Sequence, residues 1–200
     1  MGDGEKGERK PGGVVRVGIG GGSGAGKSVV ADLMRAGLRP RAVAVVRLDR
    51  FFQPTDRMPT YYSRHHREAR LDFNRPDSLN EGAMVDFCSR FTDAEIAIFE
   101  GHFALFFPAL RDLMDIRCYV ESGGEEMLER RTRRNLAAGY GGDEATIRHY
   151  NRECVLPRFR EFIEPTKEYA DFVIPNHESR MADRDRVLGQ LCERVLRLLD

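Results

Sequence analysis

A glycine-rich run ending in lysine and serine, Gly18-Ile19-Gly20-Gly21-Gly22-Ser23-Gly24-Ala25-Gly26-Lys27-Ser28, holds the densest chemistry in this 200-residue chain. From Gly21 it fits G-x-x-x-x-G-K-[ST], the spacing of a loop that wraps a phosphate chain. Glycines let the backbone curl and aim its N–H groups inward, and the helix start that follows adds partial positive charge. On this reading Gly21, Gly22, Ser23, Gly24, Ala25, Gly26, Lys27, Ser28 and Val29 surround a nucleoside triphosphate such as ATP. Lys27 reaches the β- and γ-phosphates, and Ser28 ligates Mg²⁺. Asp49 and Glu100 each stand just after an apolar run. Asp49 suits a base that takes the proton of an acceptor hydroxyl, a role worth roughly 10²–10⁴-fold in rate. Glu100 suits the metal shell, directly or through water. Arg131 and Arg134, within the cluster Arg130, Arg131, Arg133 and Arg134, are three apart and share a helix face. Two guanidinium groups beside the glycine-rich break at 138–142 can close over a moving phosphoryl group. Donor cradle, metal ligands, base and cations are the parts that phosphoryl transfer needs.

These residues require elements to hold them. The apolar run 14–19 reads as a buried strand, and Val29, Val30, Leu33 and Met34 follow at helical spacing to about Ala36, with Gly37 as C-cap. A valine-rich strand at 42–48 delivers Asp49, because ligands sit off the carboxyl ends of strands in open α/β sheets. Residues 53–70, with Pro54, Pro59, Tyr61, Tyr62, His65 and His66, read as a long irregular loop or substrate flap. Asp77 or Ser78 would cap a helix to about Phe91, and a strand at 95–99 delivers Glu100. A short helix at 108–113, a strand at 116–120 and a charged helix at 125–136 come next. A helix from Asp143, kinked or split at Pro157, leads to a strand at 171–174. An amphipathic helix, 184–199, carries Val187, Leu191, Val195 and Leu198 on one face. Strands alternating with helices predict a three-layer P-loop NTPase fold of class α/β, with a five-stranded parallel sheet and a helical lid. Residues 1–13, rich in Gly, Lys and Glu, read as a disordered tail; 14–200 form one kinase domain with its lid at about 123–145.

Basic and acidic residues balance at 32 each, which gives no global electrostatic case for nucleic acid or an anionic membrane as partner. No apolar run approaches membrane-spanning length, and the N-terminus is polar rather than a signal peptide. Four cysteines lie far apart with no C-x-x-C, which fits a reducing, cytoplasmic setting and argues against zinc. A GTPase should show D-x-x-G and [NT]-K-x-D; neither occurs, and Thr166-Lys167-Glu168-Tyr169 fails at its last position. A homo-oligomeric assembly is compatible with the sequence.

The chain resembles the uridine kinase and phosphoribulokinase-like group of phosphate-loop kinases, which includes nicotinamide riboside kinases. The resemblance rests on residues 20–28, then Leu48-Asp49-Arg50-Phe51-Phe52, Phe73-Asn74-Arg75-Pro76-Asp77 and Ile98-Phe99-Glu100-Gly101. It is most specific in Phe162-Ile163-Glu164-Pro165-Thr166-Lys167-Glu168-Tyr169-Ala170-Asp171-Phe172-Val173-Ile174-Pro175. It implies that Asp49 is the catalytic carboxylate, that Ser28 and Glu100 belong to the Mg²⁺ shell, and that Arg131 and Arg134 are lid arginines. It also implies that His149 lies near the substrate and that residues 176–179 lie near adenine. This chain departs from uridine kinases at Asn74, where they carry an Asp that holds ribose hydroxyls. An amide lacks the charge that makes such contacts strong; Asp72, on the same face of an extended segment, is placed to substitute. The family's pyrimidine-reading hairpin falls between the positions of Asp77 and Glu100, and here one helix and one strand fill that interval. Phe52, Tyr61, Tyr62, His65 and His66 are the candidate replacements, with aromatic faces for a base or pyridine ring. His102 and His177 read as ordinary strand-end residues.

The leading expectation is an ATP-dependent, Mg²⁺-requiring kinase acting on a primary hydroxyl of a small molecule, a nucleoside 5′-OH of the uridine or cytidine type. Its catalytic set is Asp49, Lys27 and Arg131. Its acceptor is bound by Asp49, Phe52, Tyr62, Asp72, Asn74, Arg131 and His149, and Arg134 joins the ATP site. A non-pyrimidine acceptor (nicotinamide riboside, pantothenate, a sugar phosphate or a natural product) is the first alternative. An ATP-binding regulator without turnover is the second.

Overall fold

The computed structural model describes residues 13–200, so the tail expected at 1–13 lies outside the described residues except for Gly13. Five parallel strands form the central sheet: β1 (Val15–Gly20), β2 (Val43–Arg47), β5 (Ile96–Glu100), β6 (Ile116–Glu121) and β7 (Phe172–Pro175), in the spatial order β2-β5-β1-β6-β7. The register sets Ile19 and Arg47 on either side of Glu100, so three neighbouring strands end level with one another.

Alternate residues of these strands enter different cores, as the pleat requires. Val15, Val17, Ile19, Ile96 and Ile98 pack under α1 (Lys27–Gly37) and α7 (Met181–Arg197), against Val30, Met34, Leu191 and Val195. Phe99 and Ala97 face the opposite core, with Met84 of α2 (Glu81–Arg90), Leu110 of α3 (Pro108–Asp112) and Met127 of α4 (Gly124–Ala137). Two cores separated by one sheet give three layers, as the alternation of strand and helix predicts.

Two helix ends differ from expectation. Helix α1 runs through Gly37 because Leu38, fully buried, continues the turn and donates its N–H to the Met34 carbonyl at 2.9 Å. Helix α2 starts later than Asp77 or Ser78: Asn80 is its cap, accepting from the Ala83 N–H at 3.1 Å. Ser78 is buried instead, its hydroxyl donating to the Arg75 carbonyl at 2.6 Å.

The largest correction falls at 53–70. This stretch contains an antiparallel hairpin, β3 (Thr60–Ser63) and β4 (Glu68–Leu71), in a sheet of its own. Its excursion leaves and rejoins the body beside itself: the Gln53 N–H donates to the Ser78 carbonyl and the Asn80 N–H to the Phe51 carbonyl, both at 2.8 Å.

After β6, α4 is followed by α5 (Glu144–Tyr150), and the two helices pack against each other. The chain stays helical past α5, with widened turns at Asn151–Val155 and Phe159–Ile163 flanking one regular turn, α6 (Leu156–Arg158). Pro157, which cannot donate to a helix ladder, sits between those two widened turns, as a proline that splits a helix should. Among the described residues no helix is long and apolar enough to cross a membrane.

Candidate active site

The strand ends, the hairpin and residues of α4 and α5 line a cavity of about 1020 Å³, onto which Ser23, Lys27, Ser28, Asp49, Glu100 and Arg134 all open. Strand β1 feeds the phosphate loop, which passes straight into α1. In that loop the Lys27 ammonium is folded back, donating to the Gly21 and Gly22 carbonyls at 2.9 Å each. Exclusion of water lowers its pKa below the ordinary lysine value, against the opposing pull of Glu100 and Asp49. Ser28 Oγ donates to Glu100 Oε1 at 2.8 Å, so the two expected metal-shell groups are adjacent. Behind the loop, the Asn176 amide donates to the Ala25 carbonyl at 2.6 Å, tying the segment after β7 to the cradle.

Helix α4 divides its arginines. Arg133 pairs with Glu129 one turn back, as a solvated helix face does, while half-buried Arg130 pairs with Glu126 and donates to the Asn176 carbonyl at 2.8 Å. Arg131 turns inward: it is 7% exposed, donates to the Asn151 side chain, and holds its guanidinium carbon 5.1 Å from the Tyr150 ring centroid. Arg131 and Arg134 both line the cavity, as their spacing predicts. Val29 does not; it lies on the open face of α1, 53% exposed.

On the opposite side the outcome is mixed. Phe52 and Asn74 line the cavity. Asn74 donates through Nδ2 to the Tyr150 hydroxyl at 2.8 Å. Tyr62 faces away at 66% exposure, because Tyr61 and Tyr62 alternate across the strand and Tyr61 is the one turned inward. Asp72 is fully buried behind the wall, where it accepts from Arg158 Nε at 3.0 Å, Cys154 Sγ at 3.1 Å and the Asn74 N–H at 2.9 Å. It is a buttress for Asn74 and does not line the cavity. His149 is exposed and stacks on His65, ring centroids 3.9 Å apart; its neighbour Tyr150 lines the site instead.

His102 is the residue that sequence reasoning passed over. It is 8% exposed, with Nε2 3.1 Å from the Phe73 carbonyl and Nδ1 3.6 Å from Asp49 Oδ1. Burial holds its pKa down to about 4, so the ring is neutral near pH 7. A carbonyl can only accept, so the neutral ring carries its proton on Nε2 and turns the Nδ1 lone pair towards Asp49. Two acceptors facing each other mark a place for a donor, such as a hydroxyl. The only sequence signal was position, two residues beyond Glu100 at a strand end.

A phosphate loop after the middle strand, Glu100 at the end of the strand beside it, Asp49 just past the next strand and two arginines lining the same cavity mark a kinase, a phosphotransferase with a hydroxyl acceptor. The chain belongs to the Phosphoribulokinase / Uridine kinase family, whose model matches residues 57–182. It is 27% identical over 206 residues to uridine-cytidine kinase B of Dictyostelium discoideum, covering 90% of this chain and 82% of that protein. It is 31% identical over 179 residues to the uridine kinase of Macrococcus caseolyticus, covering 80% and 86%. Among solved structures, a Silicibacter sp. TM1040 kinase attributed to a fructose transport system shares the fold, with TM-score 0.62, 18% identity, and 86% and 94% coverage.

Proposed function

We propose that this protein transfers the γ-phosphate of ATP to the 5′-hydroxyl of a nucleoside of the uridine or cytidine type. One observation carries the reading: the Asp49 carboxylate opens onto the same cavity as Lys27 and Ser28, with the His102 ring 3.6 Å from its Oδ1. In this reading residues 14–200 act as one kinase domain, and 123–145 serve as its lid. The phosphate loop and Arg134 hold the ATP phosphates, and Lys27 leaves the loop carbonyls to meet the β- and γ-oxygens. Asp49 orients the acceptor hydroxyl and takes its proton, and Arg131 stabilises charge on the transferring group.

Ser28 and Glu100 suit Mg²⁺, since hard oxygen donors lie together there. Among the described residues no three His, Cys, Asp or Glu side chains converge on a metal. That donor set fits an ion shared with a phosphate chain rather than one caged by protein. Bound there, Mg²⁺ would offset phosphate charge.

A second reading, a non-pyrimidine acceptor, has its own observation. Asn74 spends its amide on Tyr150, and Asp72 is sealed behind Arg158, so no carboxylate stands where uridine kinases hold the ribose diol. Relatives named uridine kinase favour the first reading. The deciding assay offers Mg-ATP with uridine, cytidine, nicotinamide riboside, pantothenate and sugar phosphates. Phosphorylated pyrimidine nucleoside is expected, and turnover confined to another acceptor would replace the first reading with the second. Asp49→Asn should lower kcat roughly 10²–10⁴-fold while ATP-analogue binding persists; full activity would remove Asp49 from the base role.

A further inference from the structure

The hairpin walls one side of the cavity. Its register sets Tyr61 opposite Arg70 and Ser63 opposite Glu68. Alternate side chains share a face, so these four residues form the inner side of the hairpin; Ala69 and Leu71, on its other side, border the cavity as well. Tyr61, Glu68 and Arg70 line the cavity. The hairpin is also braced against the end of α5 and the widened turn that follows it. Ser63 Oγ donates to Glu153 Oε2 at 2.9 Å and the His65 N–H to Glu153 Oε1 at 3.1 Å. His65 stacks on His149, and the Tyr61 and Tyr150 rings meet at 5.6 Å and 56°, forming an aromatic corner.

Beside that corner, Arg70 Nη1 lies 3.6 Å from Glu68 Oε1. A guanidinium only donates and an ionised carboxylate only accepts. Side by side they complement a flat ring whose edge carries a donor next to an acceptor. Pyrimidine bases have such an edge: N3–H beside a carbonyl in uracil, an amino group beside N3 in cytosine. We propose that the inner face of the β3–β4 hairpin reads the acceptor's base, with the ring against Tyr61, its donor on Glu68 and its adjacent acceptor on Arg70. The inference rests on the reading that the acceptor is a nucleoside. It places base recognition upstream of Asn74, in the stretch whose sequence reads as an irregular loop.

The test measures kcat and KM for uridine, cytidine and methyl β-riboside, which keeps the sugar hydroxyls and lacks a base. The wild type is compared with Tyr61→Ala, Tyr61→Phe and Arg70→Ala, and binding of a non-hydrolysable ATP analogue checks that each variant is folded. Stacking of a base on an aromatic ring, judged by alanine substitution, predicts a KM rise for nucleosides of roughly 10-fold or more in Tyr61→Ala. Arg70→Ala should raise the same KM with kcat and the KM for ATP within about twofold of wild type, the pattern of lost uniform binding. Tyr61→Phe, which keeps the ring, should stay near wild type for nucleosides. If the wild type phosphorylates a nucleoside, but Tyr61→Ala and Arg70→Ala keep its nucleoside-to-riboside ratio of kcat/KM, the hairpin does not read the base. If the wild type phosphorylates neither nucleoside, the acceptor assignment falls first and takes the inference with it.

Discussion

Gly24→Ala should disturb the site through the backbone alone, and the structure gives its size. Gly24 has φ +97°, a region where an L side chain costs about 1–2 kcal/mol. A Cβ there would also lie 2.3 Å from the Met127 carbonyl oxygen and 3.2 Å from Arg131 N and Cβ. The obstacle is helix backbone, which cannot rotate away, so overpacking adds about 1–3 kcal/mol. Gly139→Ala isolates the first contribution: its φ is +63° and nothing lies within 4 Å of the added carbon. For a domain of this size each kcal/mol moves Tm by roughly 2–4 °C. Gly139→Ala should then lose roughly 2–8 °C and Gly24→Ala roughly 4–20 °C, read by differential scanning fluorimetry at one protein concentration. Because the displaced segment of α4 carries Arg131, Gly24→Ala should also lower kcat more than Gly139→Ala does. Equal melting temperatures for the two variants would refute the argument that the phosphate loop and α4 are packed backbone against backbone.

Arg158→Met should destabilise the protein by about 3–5 kcal/mol in urea titration, because it strips the cationic partner from fully buried Asp72; Asp72→Asn added to it should recover part of the loss, and an undamaged single variant would count against the buttress. Acid stability should depend on His102. Its folded-state pKa, about 4, lies below the unfolded value of about 6.5, so the unfolded chain takes the proton first. The contribution is therefore complete above about pH 6.5 and is lost as pH falls towards 4. Urea midpoints across that window should fall less steeply in His102→Leu than in wild type; parallel slopes would show that the ring is not held neutral.

The donor half of the site was legible because its information is local. A phosphate loop is one contiguous spacing, and Asp49 and Glu100 follow from the rule that strand ends face ligands. Arg131 and Arg134 follow from helix geometry alone. The acceptor half depends on pairs far apart in the chain, such as Asn74 with Tyr150 and Ser63 with Glu153, which no local pattern encodes. Its hairpin lacked the usual signal. Residues 64–67 are Arg-His-His-Arg, and the residue at positive φ is Arg67, at 55°, where Gly or Asn would have marked a turn. Consecutive tyrosines hid which face points inward, so both Tyr61 and Tyr62 were candidates for the ring and only Tyr62 was set among the acceptor residues. His149 and Tyr150 likewise stand one residue apart on a helix, a rotation of about 100°, and it is Tyr150 that lines the cavity.

The paired hydrogen bonds at Gln53–Ser78 and Phe51–Asn80 bring the two ends of the hairpin excursion together. Loop closure is therefore settled at the base of the excursion and hardly depends on what lies between. The exchangeable part is the hairpin itself, closed by the Asp72 N–H on the Pro59 carbonyl at 2.8 Å, since Asp72 and Asn74 are tied to Arg158 and Tyr150. Another hairpin, of another length, could be seated between Pro59 and Asp72 without shifting a strand of the main sheet. A change confined to that hairpin would leave the phosphate loop and the strand ends of the main sheet where they stand.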